Sequence, residues 1–287
     1  MNRFLNNMAS FIIEQGLNVF SIAVIEGDGT LAEMQVQTAN ACQNSYSVAK
    51  AFCVTAVGML YDRGLLSTDD LVCDILKDEL PESMDERWRT ATVDMALSHR
   101  LGLPGGFLDI DCPGVEAFGT DYLKYMLTTP LICAPGETRC YTDGAYYLIS
   151  RIVEKVSGEP LDNFLWHELF TPLGFREMAW SHCPMGHPMG ATGLYIRTGD
   201  MVKLGAIYLN GGEWKGHRYL SEKWVDIVLT RGYELRIINE KTGAYGKGGM
   251  HGQKLMVLPQ KQRVVAYHGN GNGLGDILED WILHHQG

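Results

Sequence analysis

Ser47 and Lys50 stand three residues apart in the stretch NSYSVAKAFCV, residues 44–54. On a helix, positions i and i+3 share a face, so a hydroxyl and an amine at that spacing can meet. A serine hydroxyl becomes a nucleophile when a neighbouring base takes its proton. A lysine can be that base when burial beside apolar groups lowers its pKa. From Ser47 to Tyr61 the chain reads SVAKAFCVTAVGMLY, and Lys50 is its only charge. An amphipathic surface helix would carry charges along one whole face. Ser47 in the first turn would also place backbone N–H groups near the oxyanion of an acyl intermediate. The pattern therefore predicts acyl chemistry at a serine. The plainer reading is a lysine snorkelling out of a buried helix, since a Ser-x-x-Lys spacing arises about once by chance in a chain of this length.

The elements that must position this pair follow from periodicity and turn residues. Residues 18–37 read as two strands around a GDG turn. Residues 47–63 form the apolar helix, ended by Arg63-Gly64, and residues 65–130 hold short helical patterns separated by loops such as LGLPGG. Residues 143–157 form a helix with Asp143 as N-cap and Gly158 just past its end. A further helical stretch runs to Phe170, and helices recur over 200–230 around NGGEWKGHRYLS. The apolar segments 251–259 and 262–269 read as an antiparallel hairpin, and 275–285 as a C-terminal amphipathic helix. Strands at both ends and helices between them predict an α+β fold. It is an antiparallel β-sheet flanked by N- and C-terminal helices, with a mostly helical lobe inserted. The expected organisation is a single domain over 1–287, with a sheet lobe of 1–65 plus 190–287 and a helical lobe of 66–189.

With 287 residues, 46% hydrophobic and 20% charged, the chain has the composition of a soluble globular protein. A net charge of −10 without a basic stripe argues against a nucleic-acid or anionic-membrane partner. No apolar run approaches the roughly 18 residues of a membrane helix. The opening MNRFLNNMASFIIEQGL lacks the features of a signal peptide, so the expected location is cytoplasmic, with the seven irregularly spaced cysteines reduced. HGNGNGLG, residues 268–275, lacks a P-loop lysine and reads as a loop. His182, Cys183 and His187 match no zinc spacing. His99 reads as structural, and no metal or organic cofactor is expected.

The stretch YSVAKAFC resembles the first motif of the serine β-lactamase and penicillin-binding-protein superfamily, whose signature sets begin with Ser-x-x-Lys. The resemblance continues in order through LYDRGLLSTDDLVCDILKDELPE (60–82) and TVDMALSHRLGLPG (92–105), where Arg100 and Leu101 replace the usual Thr-Ser. It extends through 135–175, 191–225 and 248–270, and the class C β-lactamase and esterase branch fits best. The resemblance implies a β-lactamase/transpeptidase-like fold, with Ser47 as nucleophile and Lys50 as general base. Tyr141 matches the Tyr of the branch's Tyr-x-Asn motif, a phenol that shares proton traffic with the lysine and protonates the leaving group. Its plainer reading is a core aromatic flanking a helix.

Asp143 stands where that motif has Asn. An amide can donate to a substrate carbonyl, whereas an ionised carboxylate only accepts. The change would disfavour anionic β-lactams and favour an amine-bearing substrate. The literal third motif, Lys-Thr-Gly, occurs at 241–243. Counting back from Pro259, the family slot falls instead at Gly249-Met250-His251-Gly252, with the Met250 N–H as second oxyanion donor. His251 would assist proton transfer or orient substrate, or else be a strand histidine facing solvent. Together these imply a serine hydrolase acting on a small-molecule ester, amide or peptide through a Ser47 acyl-enzyme. The alternatives are a true β-lactamase, a D-amino-acid peptidase, an acyltransferase, or a ligand-binding member of the fold without turnover.

Overall fold

The computed structural model describes residues 2–286. Met1 and Gly287, the outermost residues of the expected domain range, lie outside the described residues. The chain divides into two compact units, Met1–Ala51 with Leu173–Ala179 and Leu194–Gly287, and Phe52–Pro172 with Trp180–Gly193. The division falls inside the apolar helix, at Ala51, where the expected lobes put it at residues 65 and 66.

The first unit is built on a six-stranded sheet. Its strands are β1 (Val19–Ile25), β2 (Leu31–Gln35), β3 (Arg236–Asn239), β4 (Ala244–Gly249), β5 (Gln253–Leu258) and β6 (Arg263–Gly269). They lie in the order β2-β1-β6-β5-β4-β3, every neighbouring pair antiparallel. The first and last parts of the chain thus meet at the β1–β6 pair. The principal helices of the chain are α1 (Arg3–Glu14), α2 (Ala49–Asp62), α3 (Asp143–Ser157), α4 (Thr198–Leu209) and α5 (Leu274–His284).

Side chains alternate across a strand, so each face of the sheet collects its own set. Ile22, Val24, Met256, Leu258, Val265 and Tyr267 pack with Phe4, Met8 and Ile12 of α1 and Leu278, Trp281 and Ile282 of α5. The alternating residues Leu255, Val257 and Val264 face α4. A Cβ on Gly205 of α4 would come 2.4 Å from Val264 Cγ1, so only glycine permits this approach. These packings are the antiparallel sheet with N- and C-terminal helices that the sequence predicts.

The second unit is mostly helical. Its longest helix, α3, is capped by Thr142, whose hydroxyl accepts from the Gly144 N–H at 3.3 Å, and it ends on Gly158 in the left-handed conformation. Asp143 is therefore the first helical residue and not the N-cap. The preceding threonine supplies the capping oxygen. Among the described residues no helix is long and apolar enough to cross a membrane.

Strand β5 begins at Gln253, so the expected strand 251–259 starts two residues later than its sequence pattern suggests. The fully buried Gln253 explains where it starts. Its Nε2 donates to the carbonyls of Gly269, at 2.7 Å, and Met250, at 3.3 Å. Its Oε1 accepts from the Gly269 N–H at 3.2 Å and lies 2.8 Å from His268 Nδ1. The two roles of the amide fix the tautomer, because Nδ1 of His268 must donate.

His268 is wholly buried, and burial pushes its imidazole down to about 4, with the Ile196 backbone opposing in part. A group whose folded pKa lies below its unfolded value stabilises the fold above the unfolded pKa and loses that contribution as pH falls toward the folded one. Between pH 7 and pH 5 the unfolded chain binds the His268 proton and the folded chain does not. The loss is about 2 kcal/mol over that interval. Urea unfolding of wild type is expected to show it, and His268→Gln is expected to flatten the slope. An unchanged slope in the variant would assign the pH dependence to other groups.

Candidate active site

In the first unit, Tyr46–Val48 form a single 3-10 turn, and α2 begins at Ala49. Ser47 thus lies just before the α-helix and not in its first turn. Lys50, in the first turn of α2, is fully buried, and its Nζ donates to Ser47 Oγ at 3.0 Å. The helix forms because Ala49–Leu60, Lys50 apart, is a run of apolar and small residues buried on all sides. Its end is set by Gly64 in the left-handed conformation just beyond Asp62.

The approach to Ser47 is pinned from both sides. Residues Gln43 and Asn44 pair with Ile196 and Tyr195, and both the N–H and the hydroxyl of Ser45 donate to the Leu194 carbonyl at 2.8 Å. Asn44 Oδ1 accepts from the Tyr46 N–H at 2.9 Å. Tyr46 itself takes a φ of 46°, a conformation that a residue with a Cβ holds only where its surroundings over-determine it.

Those surroundings include the 249–252 turn. A Cβ on Gly249 would lie 2.4 Å from the Ser45 carbonyl oxygen and 3.1 Å from Tyr46 Cβ, so the strand end can sit here only as glycine. The His251 ring meets the Tyr46 ring edge-on, with centroids 5.2 Å apart. Met250 and His251 are exposed. His251 lies in a left-handed turn, φ 61°, and not in a strand, because β5 has not yet begun. The Gly271 N–H donates to the His251 carbonyl at 3.1 Å, and Gln253 holds the Met250 carbonyl. Gly252, at φ 96°, presses on Leu274, where a Cβ would come within 2.8 Å of Cδ2.

Gly249, Met250, His251 and Gly252 thus lie beside the turn that carries Ser47. Lys241, Thr242 and Gly243 do not. They form the turn between β3 and β4, where the Lys241 carbonyl accepts from Gln260 Nε2 at 3.1 Å. Strand β4 separates the two candidate slots by roughly 20 Å.

In the second unit, Tyr141 is partly exposed, at 37% of its surface. Its ring lies 4.4 Å, centroid to centroid, from that of the buried His99, and the Arg139 guanidinium stands 5.9 Å from its centroid. Asp143 is buried, and its carboxylate converges with those of Asp109 and Asp111, ligand-capable oxygens all lying within 4.8 Å of one another. Asp111 accepts from the Thr192 hydroxyl, and Asp109 accepts from the Cys112 thiol at 3.2 Å. The Asp109 hydrogen bond is the main cause holding that thiol above its ordinary range, with the three negative charges adding to it.

The sequence reading identified Asp143 but missed its two companions. Asp109 and Asp111 sit in a loop with no periodic signal, and only the fold brings them to the start of α3. The histidines of the 182–187 loop are engaged apart from one another, His182 with Asp162 at 2.9 Å and His187 with Glu154 at 2.9 Å. Cys183 lies against the Tyr147 hydroxyl.

Comparison with known proteins places the chain. Penicillin-binding protein 4 of Amycolatopsis lactamdurans is 31% identical over 140 residues, 49% of this chain and 36% of its own. An Escherichia coli O157:H7 protein proposed to be a D-alanyl-D-alanine carboxypeptidase is 25% identical over 232 residues, 62% of this chain and 53% of its own. The chain thus spans about a third to a half of the length of these curated relatives. A Bacillus anthracis protein proposed to be a 6-aminohexanoate-dimer hydrolase has a solved structure that matches with a TM-score of 0.80. That match is 15% identical and covers 95% of this chain and 80% of the other, which shows the shared fold. The Beta-lactamase family model matches residues 6–286, nearly the whole chain, and the chain belongs to the Beta-lactamase family.

Proposed function

We propose that the chain is a serine hydrolase that cleaves an ester or amide bond through an acyl-enzyme on Ser47. The observation that carries this reading is the 3.0 Å contact between Ser47 Oγ and the Nζ of a fully buried lysine. Removal from water favours the neutral form of an amine, and the neutral amine is the form a base needs.

In the proposed cycle, the Ser47 O–H gives its proton to Lys50 as Oγ bonds to the substrate carbonyl carbon. The backbone N–H groups of Ser47 and Met250 hold the resulting oxyanion. The pinned Gly249–Gly252 turn supports the second of these donors, because preorganised donors need no rearrangement when charge develops. Tyr141, assigned by its match to the family's Tyr-x-Asn motif, shares the proton traffic with Lys50. As the carbon–oxygen or carbon–nitrogen bond breaks, Tyr141 protonates the leaving group. Water then attacks the acyl-enzyme, its proton passing back through the same groups, and Ser47 is regenerated. His251 orients the substrate or relays a proton beside the turn. None of these steps requires a cofactor.

The relatives' names make peptide and small amide substrates the first to test. The convergence of Asp143 with Asp109 and Asp111 supports a substrate that brings an amine or a neutral group, and not a carboxylate, to that position.

Ser47→Ala and Lys50→Met are each expected to lower kcat/KM for a p-nitrophenyl ester by about 10²–10⁴-fold, as loss of a nucleophile or its base does, with the fold retained. Wild-type activity equal to that of Ser47→Ala across esters, anilides and penicillins would favour a ligand-binding protein without turnover. Asp143→Asn is expected to raise turnover of a penicillin carboxylate about tenfold relative to an uncharged ester. An unchanged ratio would remove the charge argument.

A further inference from the structure

We propose that His99 is a positioning residue that holds Tyr141 in register for proton transfer, an inference that rests on the role given to Tyr141 above. Three observations within the helical unit support it. First, His99 follows the short helix Val93–Leu97 with a φ of 58° while only 1% exposed. A buried residue with a Cβ is strained in the left-handed region, and such residues gather at functional sites.

Second, His99 holds the backbone on both sides of Tyr141. Its carbonyl accepts from the Cys140 N–H at 2.9 Å, and its ring Nδ1 accepts from the Thr142 N–H at 3.3 Å. One residue thus supplies acceptors to both neighbours of the phenol-bearing residue. An accepting Nδ1 leaves Nε2 as the protonated nitrogen of the neutral ring.

Third, the imidazole backs the Tyr141 ring at 4.4 Å and is itself backed by Tyr146 at 5.1 Å. Tyr146 is buried, and its hydroxyl donates to the Leu97 carbonyl at 3.0 Å. Tyr141 is therefore positioned by a stack whose far end is fixed to the helix that precedes His99. A histidine needed only to fill space would require neither the strained backbone nor the ring acceptor.

The test uses two substrates with the same acyl group, a p-nitrophenyl ester and an anilide. The nitrophenolate leaves without a proton, whereas the anilide needs one, so loss of the acid falls mainly on the anilide. Tyr141→Phe, His99→Ala, His99→Asn and His99→Gln are compared in the full chain, with thermal unfolding as the control. His99→Ala is expected to lower kcat on the anilide about tenfold more than on the ester, with KM nearly unchanged. His99→Asn is expected to restore most of that loss, because its Oδ1 replaces Nδ1 as acceptor and asparagine tolerates a positive φ. His99→Gln, whose amide lies too far out, is expected not to restore it.

Equal losses on both substrates, or His99→Asn no better than His99→Ala, would show a structural role only and overturn the proposal. A selective loss in Tyr141→Phe but not in His99→Ala would refute the role of His99 alone. No selective loss in Tyr141→Phe would refute the assignment of Tyr141 and, with it, that of His99. Should His99→Ala fail to fold, the His99→Gln and His99→Asn pair carries the same comparison.

Discussion

A lysine with no exposed surface is the constraint on which the rest of the site depends. Ordinary lysines keep the ammonium in water and bury only the stem. Lys50 buries the whole side chain, and its Nζ lies within hydrogen-bond reach of the Ser47 hydroxyl. Desolvation of a charged amine is costly unless a partner or a change of protonation relieves it. The apolar residues of α2 that create this cost are the same ones that hold the helix in place. The proposed chemistry and the packing of the helix therefore rest on one arrangement.

The second requirement is a rigid approach of the sheet to the Ser47 turn. Gly249 meets the Ser45 carbonyl, where any side chain would collide. Behind it, Gln253 fixes the Met250 carbonyl and both polar groups of the Gly269 backbone, and the neutral His268 completes that network. These hydrogen bonds hold the Gln253 amide and the two strand ends in one arrangement. The Met250 N–H thus belongs to a turn held by the ends of two neighbouring strands. That is a firmer support than a surface loop gives.

Much of this was legible in the sequence, for physical reasons. The apolar run around one lysine, the alternation of the last two strands and the glycine after α3 are local patterns, and they predict local structure. Counting back from Pro259 found the turn beside Ser47 because the register of a hairpin fixes which residues reach its end. The literal Lys-Thr-Gly at 241–243 carries no register of its own, and here it fills the turn at the opposite end of β4.

What the sequence concealed depends on partners distant in the chain. Thr142 takes the cap expected of Asp143 because two adjacent residues could both serve. His251 leaves the strand in a turn whose start, the Met250 carbonyl, is held by the Gln253 amide. Asp109 and Asp111 join Asp143 only through the fold, and His99 reads as structural until its two acceptors are seen on either side of Tyr141.

The account's central claim is that Ser47 is activated by Lys50. Intact mass after incubation with a fluorophosphonate, wild type beside Ser47→Ala, tests it most directly. The account predicts a gain of one probe in wild type and none in the variant. Equal labelling of both, or no labelling of a folded wild type, would contradict it.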